Sequence, residues 1–238
     1  MKISSRSFNY HFGEPRRIMT DKINHVADAV KIIERKILPA DTFRSFWSAE
    51  KIKFNVKGVP RDGIYVPTNI RGTVEVLDNI YTSGHLPEEE IDAAVLGSGL
   101  GAFTMPFSIY CEYLNLSRYF VTGFEFNRHL ADASRTIAKR LEIRNVGYIN
   151  KDFTQLVRED FKQFNFIYIF KPFEIAFVDV MDDVYPRINP GTLLLTRHCP
   201  REGALRSGQF KLLYKPLEEF YGNEYHLYQR TNSEILLH

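Results

Sequence analysis

The chain has 238 residues, of which 44% are hydrophobic, 25% charged and 14% aromatic. That balance belongs to a folded globular protein with ample core material rather than a disordered one. Apolar runs such as 167–170 and 193–195 fall far short of the ~20 residues a membrane span needs, and residues 1–10 carry no signal-like apolar stretch. Two cysteines, Cys111 and Cys199, cannot by themselves make a disulfide framework or a four-ligand zinc site. A soluble, reduced, cytoplasmic protein with no membrane partner and no metal is expected.

Net charge is +2 but unevenly placed: residues 1–61 hold 13 Lys/Arg against 6 Asp/Glu, and the remainder 18 against 23. A basic N-terminal segment fits an acidic partner or nucleic acid, and fits a solvated face equally well.

In chain order, Thr20-Asp21 reads as a helix start with an acidic first turn. Ile23, Val26, Ala27, Val30, Ile33 and Ile37 then recur at three- and four-residue intervals, which predicts an amphipathic helix ending before Pro39. A second helix is predicted over 41–54. Gly58, Pro60, Gly63 and Pro67 break regularity and close an N-terminal extension over 1–64. A third helix is predicted over 70–81, closed by Gly84 and Pro87.

From Ile91 the rhythm changes to strands alternating with helices: strand 93–96, helix 103–114, strand 119–126, helix 128–141, strand 146–149, strand 164–170 and strand 192–196. Segments 153–161 and 174–184 lie between the later strands, and Asn189-Pro190-Gly191 is a turn before the last. Alternation implies parallel crossovers and a sheet covered on both faces. Segments 210–214 and 225–229 read as two late strands, an antiparallel pair. There is no internal repeat.

The most informative stretch is Val95-Leu96-Gly97-Ser98-Gly99-Leu100-Gly101, a glycine turn directly after a buried strand, where the backbone can approach a ligand and the next helix offers free N–H groups. Standing alone it has several readings. Gly97-x-Gly99-x-x-Ala102 fits a dinucleotide loop with Glu125 on the ribose. Yet no Tyr has a Lys four positions later, and a separate substrate domain has little room. The phosphate loop of a purine nucleoside phosphorylase is also similar, but the sheet–helix alternation and the acids at Glu125 and Asp152 suit a different fold. Taken singly, the loop is a strand–helix connector, Glu125 or Asp152 a helix cap, and Phe173 a core residue.

The order of loop, acid, acid and Pro-Phe after successive strands resembles a class I S-adenosylmethionine-dependent methyltransferase over about residues 65–230. The resemblance implies a Rossmann-like seven-stranded, mostly parallel α/β sheet flanked by helices, forming a cofactor-binding domain over 65–238 behind the helical extension or lid. It implies that Gly97, Ser98, Gly99 and Gly101 face the methionine end of the cofactor. Glu125 would accept both ribose hydroxyls, as a carboxylate can. Phe126 would lie against adenine, with Asp152 and Phe153 nearby and Asp152 taking the adenine amino group. Thr68, in Tyr65-Val66-Pro67-Thr68, matches the segment covering the methionine tail, and Lys171-Pro172-Phe173 the Pro-aromatic pair beside the reacting methyl. These positions fall at the carboxyl ends of strands, where open α/β sheets bind ligands.

Two departures from the family pattern stand out. Val95 occupies the position two before the first loop glycine, where the family carries an acid for the methionine amino group, and Asp92 is out of register by three. Lys171 precedes the proline where nucleobase amine methylases present Asn or Asp, and a protonated lysine accepts no hydrogen bond. The methyl acceptor is left open among small molecule, protein and RNA. Lys171, Phe173, Glu174 and His198 are candidates beside the reacting centre, while Cys199 has no evident partner for nucleophilic catalysis. A scaffold of the same fold that has lost catalysis is the competing class.

Overall fold

The computed structural model describes residues 14–37, 51–56, 59–64, 70–170, 181, 183–197, 208–214 and 225–232. Helix α1 (Glu14–Ile37) is followed by β1 (Lys51–Val56), β2 (Val59–Ile64) and α2 (Ile70–Thr82). Then come β3 (Glu90–Leu96), α3 (Thr104–Tyr113), β4 (Arg118–Glu125), α4 (Arg128–Arg140) and β5 (Val146–Asn150). The chain continues through α5 (Arg158–Phe161), β6 (Phe166–Phe170), β7 (Leu193–Arg197), β8 (Phe210–Tyr214) and β9 (Tyr225–Arg230). Seven strands form one sheet in the order β5-β4-β3-β6-β7-β9-β8. Strands β3 to β7 are parallel to one another, and β9 runs antiparallel to both β7 and β8. The expected architecture, including the late antiparallel pair, is therefore present.

Alternate residues along the central strands feed two cores, as a sheet buried on both faces requires. Phe166, Tyr168 and Phe170 of β6 join the cluster built with α1, α2, α3 and α4. Ile167 and Ile169 join Phe153, Phe161, Phe164, Val184 and Ile188 on the opposite face. Helix α1 buries Met19, Ile23, Val26 and Val30, one stripe at helical spacing, in the same cluster as Val76, Leu77 and Phe107.

Three helices end in the same geometry. Gly84, Asn115 and Glu142 take positive φ just past α2, α3 and α4, and the next amide returns to a carbonyl of the last turn, as in His85 N to Ile80 O.

Three expectations change. Thr20 does not start a helix: α1 is already helical at Glu14, and the Thr20 hydroxyl donates to the Arg16 carbonyl one turn back, 2.8 Å. A helix reaching residue 54 is excluded, because 51–56 is strand β1; residues 41–50 lie outside the described residues. The segment read as irregular contains β2, paired antiparallel with β1, with Pro60 opposite Asn55. In a two-stranded ribbon every strand is an edge, so a proline lacking its N–H is tolerated there. Of the segment 174–184, Met181, Asp183 and Val184 are described and are helical.

Candidate functional site

The register of the sheet sets the site. Leu96 of β3 lies level with Phe124 of β4 and Ile169 of β6, so the chain leaves all three strands along one edge. The glycine loop turns immediately beyond Leu96. Gly97 and Ser98 both donate their N–H to the Phe124 carbonyl, 2.9 Å each, and Gly101 N–H donates to Ser98 O at 2.8 Å. Gly97, Gly99 and Gly101 all have positive φ, 74°, 54° and 77°, conformations that cost an L side chain about 1–2 kcal/mol each.

Glu125, the last residue of β4, is the hinge pin of this loop. Its Oε2 accepts from Gly99 N–H at 2.8 Å and its Oε1 from Asn127 N–H at 2.9 Å. Only 4% of it is exposed. Burial pushes its carboxyl above the usual glutamate range, hydrogen bonds from the Asn127, Gly99 and Phe126 backbone pull the other way, and the nearby Asp152 charge adds to the rise. Three backbone donors on a carboxylate with about four acceptor sites still leave one for a ligand hydroxyl.

The neighbouring expected residues gather here. Phe153 closes one side of the loop: a Cβ built on Gly97 would meet only its ring edge, at 4.0 Å, so the space before Gly97 is otherwise open. Phe126 is held by Asn150, whose amide donates to the Glu125 and Phe126 carbonyls at 2.9 and 2.8 Å. Asp152 lies near enough to Glu125 to raise its pKa, and one of its oxygens caps the following turn through Thr154 N–H, 2.9 Å. Ser98 turns its side chain away from the open side, into the sheet. A Cβ on Gly123 of β4 would lie 2.8 Å from Ser98 Oγ. Thr68, Lys171, Phe173, Glu174, His198 and Cys199 lie outside the described residues.

Three supporting residues escaped sequence reasoning. Ser134 of α4, fully buried, donates its hydroxyl within reach of both the Gly99 and Leu130 carbonyls, 2.9 Å each, tying the loop to the helix. Asn127 caps α4 by accepting from His129 and Leu130 N–H. Its place directly before a helical run was the available signal. Gly123 leaves room for Ser98 and Tyr148, at 2.8 Å from where its Cβ would be, a cross-strand requirement that no local pattern carries.

No protein-family model matches the chain, and no curated protein matches it. Solved structures do. A point mutant of MtNAS is 15% identical with TM-score 0.54, covering 91% of this chain and 74% of that one. The magnesium protoporphyrin IX methyltransferase ChlM of Synechocystis PCC 6803, with bound SAM, is 10% identical with TM-score 0.50, covering 68% and 79%. An RNA methyltransferase from Salinibacter ruber, in complex with S-adenosyl-L-homocysteine, is 14% identical with TM-score 0.50, covering 72% and 97%. The likeness is one of fold: the chain has the Rossmann-like fold of class I S-adenosylmethionine-dependent methyltransferases. Cover of 91% cannot be reached without part of the first 64 residues, so the MtNAS likeness runs into the N-terminal segment as well. No helix among the described residues is long and apolar enough to cross a membrane.

Proposed function

We propose that the protein binds S-adenosylmethionine at the carboxyl edge of β3 and β4 and transfers its methyl group to an acceptor. The observation that carries this reading is the Gly99–Glu125 bond. It joins a glycine loop with an open face to a buried carboxylate at the end of the adjacent parallel strand. Gly97, Gly99 and Gly101 would pass along the methionine end, Glu125 would take the ribose hydroxyls, and Phe126, Asp152 and Phe153 would hold the adenine. The relatives of the same fold crystallised with SAM and S-adenosyl-L-homocysteine support the choice of ligand.

S-adenosylmethionine supplies an already activated methyl. The chain's own work is alignment and exclusion of water. Glu125 would fix the adenosyl end, and the glycine turn, with no side chain on its open face, would let the methionine end pass close to the backbone. Thr68 over the methionine tail, and Lys171, Phe173 and His198 beside the methyl, complete the proposal from the family pattern. The segment 1–64 serves as a platform for the acceptor, anchored where α1 packs on α3 through Ile23 and Val26 and pairs Lys22 with Glu112 at 2.8 Å.

Calorimetric titration tests the assignment. S-adenosylhomocysteine is expected to bind and NAD not to bind; NAD binding alone would reject it. Incubation with labelled donor and small-molecule, protein and RNA fractions then reads methyl uptake. Binding without uptake by any fraction would favour the scaffold of the same fold.

A further inference from the structure

At the far end of the same edge, Arg197 closes β7. It is level with Phe170 of β6 and Tyr225 of β9, and Phe170 continues the row that begins at Gly97. Gly97 and Arg197 therefore stand two strand spacings apart, about 10 Å. Arg197 is 5% exposed, as buried as Glu125. Its guanidinium carbon lies 4.6 Å from the centre of the Phe170 ring and 5.6 Å from that of Tyr225. The Tyr225 phenol faces Thr73 of α2, Tyr168 and Arg197, and burial raises its pKa, so it stays a neutral O–H donor.

Resting on the reading that the adenosyl group sits over β4 and β5, the rest of the ligand has one direction to run along the edge: over the glycine loop towards β6 and β7. The donor's amino-acid arm ends in an ammonium and a carboxylate. Val95, where the family carries an acid for the ammonium, is an apolar core residue, 1% exposed. A guanidinium is a planar fork whose donors match a carboxylate two at a time. We propose that Arg197 receives the carboxylate of the donor's amino-acid arm, so that this chain anchors the arm by its anion from β7 rather than by its cation from β3. The Phe170 and Tyr225 rings beside the guanidinium, and its burial, strengthen such an attraction by keeping water away.

The experiment compares two ligands that differ in the arm: S-adenosylhomocysteine, which has the carboxylate, and 5′-methylthioadenosine, which lacks it. Both are titrated calorimetrically into wild type, Arg197→Gln and Arg197→Lys. In Arg197→Gln the affinity for S-adenosylhomocysteine should fall about tenfold or more, the scale of a lost charge-assisted hydrogen bond. Methylthioadenosine should bind as before, and Arg197→Lys should lie between. Equal losses for both ligands, or no loss for either, would overturn the proposal. If Arg197→Gln does not fold, the ratio of the two affinities in Arg197→Lys decides in the same way. Failure of wild type to bind either ligand would instead remove the adenosyl site, and with it the reading on which this one rests.

Discussion

On the proposed function Glu125 has two duties that pull its protonation in opposite directions. Its folded pKa is raised by burial, so its contribution to stability is fullest below the unfolded pKa and is lost as pH rises through the folded one. Ligand binding at the proposed site would have the other slope, since ribose hydroxyls donate more strongly to a carboxylate than to a carboxylic acid. S-adenosylhomocysteine affinity should therefore rise as Glu125 ionises, with a midpoint above that of an ordinary glutamate. Glu125→Gln keeps an oxygen for Gly99 N–H. It should flatten that pH profile and weaken binding by about 1.5–3 kcal/mol. Titration calorimetry across the acid range checks both, and a flat wild-type profile would place the ribose elsewhere. Val95 is the contrasting case. Its side chain belongs to the apolar cluster shared with α2 and α3, so Val95→Asp puts a charge where nothing solvates it. Urea unfolding should show a loss of several kcal/mol, with no gain in S-adenosylhomocysteine affinity if Arg197 already holds the arm.

The loop between β3 and α3 works because its neighbours leave space for it. Gly101 combines a φ of 77° with close packing: an added Cβ would collide with the Tyr148 hydroxyl and sit 2.7 Å from Met105 Cε. Gly101→Ala is expected to cost about 2–4 kcal/mol from backbone strain and overpacking together. In a Tyr148→Phe background the hydroxyl is gone and the penalty should shrink, leaving the backbone part of about 1–2 kcal/mol and whatever the Met105 methyl and the ring still add. Urea melts of the four proteins measure this, and additive penalties would show that Tyr148 is not the obstacle. These elements also show what was legible beforehand. The glycine loop, Glu125 and the alternation of strands stand out because each is written in consecutive residues, a turn that only glycine takes easily or a period of two or 3.6. Gly123, Ser134 and Arg197 were silent because their roles depend on which strand or helix lies alongside. The β1–β2 pair was hidden differently: Pro60 and Gly63 are strand breakers by local rule, and only pairing in an isolated two-stranded ribbon makes them admissible.

At the scale of the whole molecule the open question is whether the N-terminal segment is an appendage or part of the folding unit. Helix α1 supplies Met19, Ile23, Val26 and Val30 to the cluster that also contains Ile80 of α2, Phe107 of α3 and Leu130 of α4. Burial of that stripe outweighs the ion pairs. Lys22 and Glu112 meet at 2.8 Å, yet their side chains are 41% and 37% exposed, and such a pair contributes about 1 kcal/mol at most. Deleting the buried Ile23 side chain beyond Cβ should cost about 2–5 kcal/mol. If α1 folds with the sheet, Ile23→Ala will lower the urea midpoint of a single transition seen alike by far-ultraviolet circular dichroism and tyrosine absorbance. Lys22→Ala will shift it little. Two separated transitions in Ile23→Ala, the first losing helix signal alone, would mean that α1 is a detachable arm and that the acceptor platform must be sought on the sheet edge itself.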